Sequence, residues 1–266
     1  MPNSTAVRPI APYLGGKRNL AKRLCAIIDA TPHRTYVEPF VGMGGIFLRR
    51  GRAAPAEVIN DISRDVSNLF RVVRRHFEPL VDELELLLTS RDEFERQRLV
   101  DPDTLTDIER AARFLYLQRI SFGGKVTGRT FGVDRNTPSR FNYGKLRAEI
   151  RALGARLAPV TIERLPYADL IRRYDSGETL FYLDPPYWGC EDDYGADVFA
   201  RGDFEQLADQ LAGIRGKFVL SINATEGSRA VFSRFRTVDV DVAWSIATKA
   251  MGTAKRVTEL VVSNIG

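Results

Sequence analysis

"LFYLDPPYWG", Leu180 to Gly189, is the stretch on which the reading of the fold turns. Leu180, Phe181, Tyr182 and Leu183 read as a strand that stops abruptly at Asp184, with two prolines and Tyr187 behind it. Proline fixes its own φ and has no N–H for a sheet ladder, so Pro185 and Pro186 end the strand and stiffen the backbone leading to Tyr187. A carboxylate and a ring are thereby held at a strand's carboxyl end, the edge where open α/β sheets bind ligands. Asp and Pro are also ordinary turn residues, so the surrounding chain has to decide.

Outward from this stretch, strand-like and helical segments alternate. Residues 20–30 place Leu20, Leu24, Ile27 and Ile28 on one helix face. "TYVEPFVGMGGIFLRRG" reads as strand, glycine turn and helix, and "AEVIND" as a strand ending at Asp61. Further strands are predicted at "PVTIERL", "KFVLSIN", "FRTVDVDV" and "VTELVVSN". This alternation predicts an α/β protein with a mainly parallel, doubly wound sheet. Between residues 64 and 159 the pattern is helical, broken by the glycine- and arginine-rich "FGGKVTGRTFGVDRNTPSRFNY" (122–143), which reads as a loop. The expected organisation is one α/β domain, residues 1–63 and 160–266, carrying an inserted helical module at 64–159.

A chain of 266 residues with 44% hydrophobic and 27% charged residues is a folded globular protein. No apolar run approaches the roughly 20 residues that span a bilayer, and the N-terminus lacks the apolar core of a signal peptide. Two cysteines (Cys25, Cys190) and two histidines (His33, His76) give no disulfide framework and no zinc pattern. The expectation is a cytoplasmic protein without membrane or metal. A net charge of +5 permits a polyanionic partner without demanding one.

Two glycine turns stand out. In "VEPFVGMGG", Gly42, Gly44 and Gly45 lie where backbone approaches a ligand between strand and helix, but the spacing is neither GxGxxG nor a P-loop. Asp61 follows Gly42 by 19 residues, close to the roughly 20 at which an acid meets a ribose in nucleotide-binding folds. The alternative for Asp61 is a place in the cap of the helix that begins at Arg64. In "PYLGGKRNL", Gly15, Gly16 and Lys17 precede a helix, a turn suited to an anion or to plain solvent.

Taken in order, "YLGGK", "VEPFVGMGG", "IND" and "LDPPY" resemble the motifs of the Dam-like (D12 class) DNA adenine-N6 methyltransferases. The likeness covers nearly the whole chain, including "RAARFLYLQRISFGG" and "YADL" (167–170). It implies a Rossmann-like SAM-dependent methyltransferase fold with an inserted helical DNA-recognition domain. It also implies S-adenosyl-L-methionine as cofactor and double-stranded DNA as substrate, in a bacterial or phage-infected cell. By the same resemblance Tyr13, Gly16 and Lys17 help hold the cofactor. Glu38 and the backbone from Phe40 through Gly42 to Gly44 face its methionine part, Asp61 its ribose, and Tyr167 and Asp169 its adenine edge. Asp184, Pro185, Pro186 and Tyr187 become the catalytic residues, with Asp184 also beside the cofactor.

The chemistry agrees. An exocyclic adenine amine is a poor nucleophile because its lone pair is delocalised into the ring. The Asp184 carboxylate and the Pro185 carbonyl can accept its two protons, while Tyr187 stacks on a base taken out of the duplex. Near-attack geometry and stabilised charge then suffice, with no covalent nucleophile. Trp188 is expected in the core or in the pocket wall, and "GCEDDYGADVF" as a lid or a plain loop.

Charge supports a DNA partner. From Arg119 to Arg156 nine basic residues face two acidic ones, a net +7. A helix face accounts for Arg147, Arg151 and Arg156, whereas Lys125, Arg129, Arg135 and Arg140 crowd a glycine-broken loop. Those four, with Lys255 in "TKAMGTAKR", are the expected DNA contacts. Gly123 and Gly124 stand where relatives that read GATC carry a longer recognition hairpin, leaving Arg129 as the best base reader and a short or relaxed target as the expectation. Cytosine-N4 or RNA amino-methylation is the alternative chemistry, and a catalytically inactive DNA-binding relative is the alternative class, against which the intact motifs argue. Restriction-modification, mismatch-strand marking and phage self-protection all fit as host roles, and a monomer is expected.

Overall fold

The computed structural model describes residues 6–132, 136, 138–195, 198–243 and 256–265, with backbone alone at 243 and 256. Among them one sheet contains β1 (Thr35–Glu38), β2 (Ala56–Asn60), β3 (Thr161–Glu163), β4 (Thr179–Leu183), β5 (Lys217–Asn223), β6 (Arg236–Ala243) and β7 (Arg256–Ser263). Their order is β3-β2-β1-β4-β5-β7-β6. The first five strands are parallel, and β7 enters antiparallel between β5 and β6. From the centre the chain winds one way through β1, β2 and β3 and the other way from β4, so the direction reverses between β1 and β4. The crevice at the carboxyl ends of those two strands is where such a sheet binds ligands.

Period-two alternation sends side chains to both faces. Tyr36, Leu180, Tyr182, Val219 and Val261 join one apolar cluster, and Val37, Phe181, Leu183, Leu220 and Val262 the other. Every residue of β4 is buried, as a central strand covered on both faces requires. The first cluster takes in Leu24 and Ile28 of α1 (Ala21–Ala30) and runs on unbroken into the helices that come after β2. These are α2 (Arg64–Arg75), α3 (Phe77–Glu85), α4 (Arg91–Leu99), α5 (Asp107–Ile120) and α6 (Tyr143–Arg156). The second cluster lies beneath α7 (Tyr167–Tyr174) and α8 (Asp203–Gly213), with α9 (Glu226–Val231) beyond β5.

Sequence detail explains the helices. Val66, Leu69, Phe70 and Val73 bury one stripe of α2, and the Ser63 hydroxyl caps it by accepting the Val66 N–H. The helical pattern across 63–88 is broken at His76 because Pro79 cannot donate to the Arg75 carbonyl and its ring would clash there. In α5 the buried residues go round the whole helix, including Arg110 and Arg113, so it is the centre of the inserted module. The Arg110 guanidinium meets Asp65 and Asp103, both at 2.6 Å. The helix expected after "VGMGG" is reduced to one 3-10 turn, Phe47–Arg49. Phe47 and Leu48 are buried and Arg50 is drawn inward, so the chain leaves at once for β2.

That inward arginine belongs to a buried ion cluster. Glu57 on β2 accepts from Arg50 at 2.8 Å and from Arg156, at the end of α6, at 2.7 and 3.0 Å. Arg50 lies 3.7 Å over the Tyr36 ring and Arg156 4.0 Å over Phe47. The cluster fastens the last helix of the inserted module to the sheet. No helix among the described residues is long and apolar enough to cross a membrane.

Removing one partner of a buried ion pair strands the others. Glu57→Ala takes from two buried guanidinium groups the carboxylate they share, and the expected loss, read by denaturant unfolding, is about 3–5 kcal/mol.

Candidate active site

Glu38 ends β1 and Asp184 follows β4, and these two strands are hydrogen-bonded neighbours in register from Thr35 opposite Thr179. Both carboxylates therefore emerge at the point where the winding reverses, and both line a cleft of about 2380 Å³. Small-molecule sites run to roughly 1,000 Å³, so this cleft has room for two ligands side by side. Of the residues expected at the cofactor, Tyr13, Gly16, Lys17, Phe40, Gly42, Asp61 and Tyr167 also line it. Gly44 lies behind the wall, and Asp169 is exposed on α7, paired with Arg172. Pro186 and Tyr187 face the cleft.

The Lys17 ammonium is the hub. Its side chain is 2% exposed, and its Nζ lies 3.0 Å from Asp184 Oδ1, 3.1 Å from Glu259 Oε2 and 2.8 Å from the Tyr187 hydroxyl. The Tyr187 hydroxyl in turn donates to Glu259. Burial alone would lower the lysine's pKa, but Asp184, Tyr187 and Glu259 outweigh it and hold the group charged, well above the usual value. Asp184 is pushed up to about 6 by burial, against the pull of Lys17. Glu38 is pushed up to about 8 by burial, despite the 2.7 Å bond from the Tyr36 hydroxyl, with the Asp184 charge adding to the rise.

The glycine loop is held open by its neighbours. Gly42 (φ +49) and Gly44 (φ +74) adopt left-handed backbone, and a Cβ on Gly42 would come within 2.9 Å of the Tyr13 ring. Asp61 splints this loop: its Oδ2 accepts the Gly42 N–H at 2.8 Å and its Oδ1 the Ser63 N–H at 2.9 Å. The bond to the N–H of Ser63, the N-cap of α2, puts Asp61 in the cap region of that helix, the alternative the sequence offered for it. Burial pushes it up to about 6, opposed by those two N–H bonds. Asn60 braces three strand ends, donating to the Pro39 and Leu165 carbonyls and accepting the Leu165 N–H. Beside it Phe40, Tyr167 and Phe199 form a slot of rings with centroids 5.6 to 5.9 Å apart.

The segment after Tyr187 is pinned rather than loose. Asn223, at the end of β5, accepts the Trp188 N–H at 2.8 Å and donates to its carbonyl at 3.0 Å. Trp188 is half-buried against the second apolar cluster, 5.0 Å from the Phe204 ring, where Gly227 leaves space no side chain could share. Further on, the Tyr194 hydroxyl donates to the Leu14 carbonyl at 3.0 Å and its ring leans on Tyr13. The Asp193 carbonyl accepts from the Thr127 hydroxyl at 3.1 Å, so this segment bridges the Tyr13 loop and the inserted module.

Gly124 has a use of its own. At φ +68 its backbone abuts Pro12 and Tyr13, with 2.9 Å left for any Cβ. Its carbonyl accepts the Leu14 N–H at 2.9 Å and a bond from the buried Gln118, which also donates to Pro12. Among the expected DNA contacts, Lys125 and Arg140 are exposed, and Arg140 lines the cleft. Arg129 is half-buried over the Phe114 ring and donates to Gln118 at 3.3 Å. Arg135 and Lys255 lie outside the described residues. Arg119 pairs with Glu149, and Arg147 and Arg151 with Glu78, so much of the segment's charge is spent within the protein. Among the described residues no cluster of His, Cys, Asp or Glu is arranged to hold a metal.

Glu259, Asn60, Asn223 and Tyr194 belong to the site, although no sequence pattern assigns them a role there. Each is polar and close to a strand end or to the Asp-Pro-Pro-Tyr turn, but only the pairing of distant strands shows what it touches.

A doubly wound sheet with β7 reversed at one side, and an Asp-Pro-Pro-Tyr turn at its switch point, make this a Rossmann-like methyltransferase. Residues 13–246 match the family described as D12 class N6 adenine-specific DNA methyltransferase, and the chain belongs to that family. It is an enzyme that methylates the N6 amine of adenine in DNA. It is 24% identical to the Type II methyltransferase M1.LlaDCHI of Lactococcus lactis subsp. cremoris, over 99% of this chain and 98% of the relative. It is 22% identical to the Type II methyltransferase M.CviBI of Paramecium bursaria Chlorella virus NC1A, over 97% and 100%. To the DNA adenine methylase of Escherichia coli (strain K12) it is 26% identical, over 92% and 88%.

The Glu38 shift carries a testable sign. A carboxyl whose folded value is near 8 keeps its proton while the unfolded chain loses one from about pH 4.3 upward, so its cost to stability grows from there to about pH 8 and then levels off. Glu38→Gln is expected to raise the melting temperature over wild type by an increment that grows from pH 5 to pH 8. A constant increment across that range contradicts the assignment.

Proposed function

We propose that the methyl donor is S-adenosylmethionine and that the target adenine is turned out of double-stranded DNA into the cleft. The observation that carries this is the convergence of Asp184, Tyr187 and the glycine loop on a cavity with room for both a donor and a base. The residues suit such a donor, which is cationic at sulfur and zwitterionic at its amino-acid end. Close backbone at Gly42, the buried Glu38 carboxyl, the half-buried Asp61, and the ring slot of Phe40, Tyr167 and Phe199 supply what it needs, with no phosphate cradle. When bound, the donor supplies an electrophilic methyl group.

This chain's residues then prepare the amine. Asp184 and the Pro185 carbonyl accept its two protons, holding the lone pair in line and stabilising the positive charge that develops on nitrogen. Tyr187 stacks on the extruded base. The rigid prolines keep both acceptors in place, and Asn223 anchors the backbone just beyond them. The inserted module, residues 64–159, is the proposed DNA-recognition domain on a catalytic domain of 1–63 and 160–266. Lys125 and Arg140 lie on phosphates, and Arg129 belongs to the frame of the recognition loop. A monomer acting in the cytoplasm on a short or relaxed sequence completes the reading.

Two experiments test it. Labelled S-adenosylmethionine and unmethylated plasmid should yield label in N6-methyldeoxyadenosine. Asp184→Ala should lower kcat by about 10²–10³-fold or more, the scale of losing one transition-state hydrogen bond. Because only the ionised Asp184 is a full acceptor for the amine, kcat/KM for DNA should fall as pH drops through about 6. A flat profile from pH 5 to 8 sinks this role. Separately, replacing Lys125 and Arg140 together by alanine should lower the slope of log K against log salt by about 2, one for each phosphate contact. An unchanged slope removes both from the interface.

A further inference from the structure

Glu259 is a charged group of this site that the proposed methyl transfer leaves unused. It stands on β7 opposite Asn223, 5% exposed, and joins the site only because β7 is laid against β5. Its Oε2 lies 3.1 Å from Lys17 Nζ and its Oε1 accepts the Tyr187 O–H. Lys17 Nζ in turn is 3.0 Å from Asp184 Oδ1 and 4.2 Å from the centre of the Tyr187 ring. In the free protein the ammonium therefore holds two places a target base requires, the acceptor oxygen of Asp184 and the vicinity of the Tyr187 ring. An amine that binds Asp184 must displace it. A buried cation released without a partner is strongly disfavoured.

We propose that Glu259 is a positioning residue: it keeps hold of Lys17 and of the Tyr187 hydroxyl, so that the amine of the incoming base replaces the ammonium on Asp184 while the cation stays in the site. This rests on the proposed roles of Asp184 and Tyr187 in methyl transfer. Without the Glu259 carboxylate, Asp184 is, among the described residues, the one charged partner in the site left to Lys17, which then competes with the amine, and the Tyr187 hydroxyl loses its acceptor.

The charges facing Asp184 give a readout that a merely structural residue would not move. Lys17 faces it from the loop before α1, Glu38 from β1, Tyr182 from β4, Ser221 from β5 and Glu259 from β7, with Tyr187 and Tyr194 from the loops. Lys17 and Ser221 favour its ionised form, while the Glu259 charge opposes it. Removing that charge at constant shape must shift the Asp184 titration to lower pH.

The test uses the full chain, labelled S-adenosylmethionine and unmethylated plasmid, with kcat and pH profiles of kcat/KM for DNA, which report groups of the free protein. Glu259→Gln is expected to lower kcat by about 10–100-fold, the usual cost of losing a group that orients a reacting one, with KM for DNA within about threefold. Its acid limb should move to lower pH. Glu259→Asp, which keeps the charge, should return the limb to the wild-type position and recover part of kcat. Wild-type kcat with an unmoved limb in Glu259→Gln overturns the proposal. If Glu259→Gln does not fold by circular dichroism, Glu259→Asp decides alone: kcat reduced with KM for DNA within about threefold supports the role, and wild-type kcat, or a loss confined to KM, overturns it. Asp184→Ala, run alongside, separates the two readings. Activity retained there removes the site assignment itself, whereas activity lost there and untouched in Glu259→Gln removes only this role.

Discussion

A single buried ammonium draws the site together. A cation with so little exposure must be met by negative charge, because leaving it unpaired costs several kcal/mol. The partners of Lys17 come from far along the chain: Asp184 and Tyr187 after β4, and Glu259 on β7. Satisfying one charge thus fixes the N-terminal loop, the switch-point strand and the reversed strand relative to one another. Two carboxylates around one ammonium also leave surplus negative charge, the sign that suits the cationic methyl donor proposed for it.

The inserted module is tied to this centre by equally specific contacts. Gln118 on α5 and the side-chain-free backbone of Gly124 grip Pro12 and Leu14, so the loop after α5 and the lysine-bearing loop are hydrogen-bonded to each other. At the other end Glu57 and Arg156 join α6 to β2. Between them the apolar cluster runs from the sheet into the module without a break. A disturbance made on one side is transmitted through packed atoms rather than through a flexible linker.

Strand positions were legible because each is a short apolar run bounded by turn residues, and the parallel order followed from alternation with helices. Asp184 and Lys17 could be found because proline and glycine punctuate their segments. Other features depended on information that local pattern does not hold. The helix expected after the glycine loop fails because Arg50 is claimed by Glu57, a partner in the next strand. Helix α4, with Phe94 alone buried, and α7, with only Leu170 and Ile171, bury too few residues for periodicity to mark them. Gly124 reads as a missing base contact, yet its lack of a side chain serves a close approach to Tyr13 visible only in space. Glu259 sits in "VTELVVSN" as an unremarkable alternating residue, and its importance arises from the strand it is placed beside.

The reversed strand has a consequence for how the enzyme comes into being. Lys17 and Glu259 are separated by 242 positions, so during synthesis the loop, the glycine turn and the Asp-Pro-Pro-Tyr segment are all made long before their last counterion. Until β7 slides between its neighbours, β5 presents an open edge and Lys17 has only part of its complement. Completion of the sheet and neutralisation of the buried cation are therefore one event. A nascent chain lacking β7 lacks the finished active site, so methylating ability waits for that strand rather than growing gradually as the earlier ones are made.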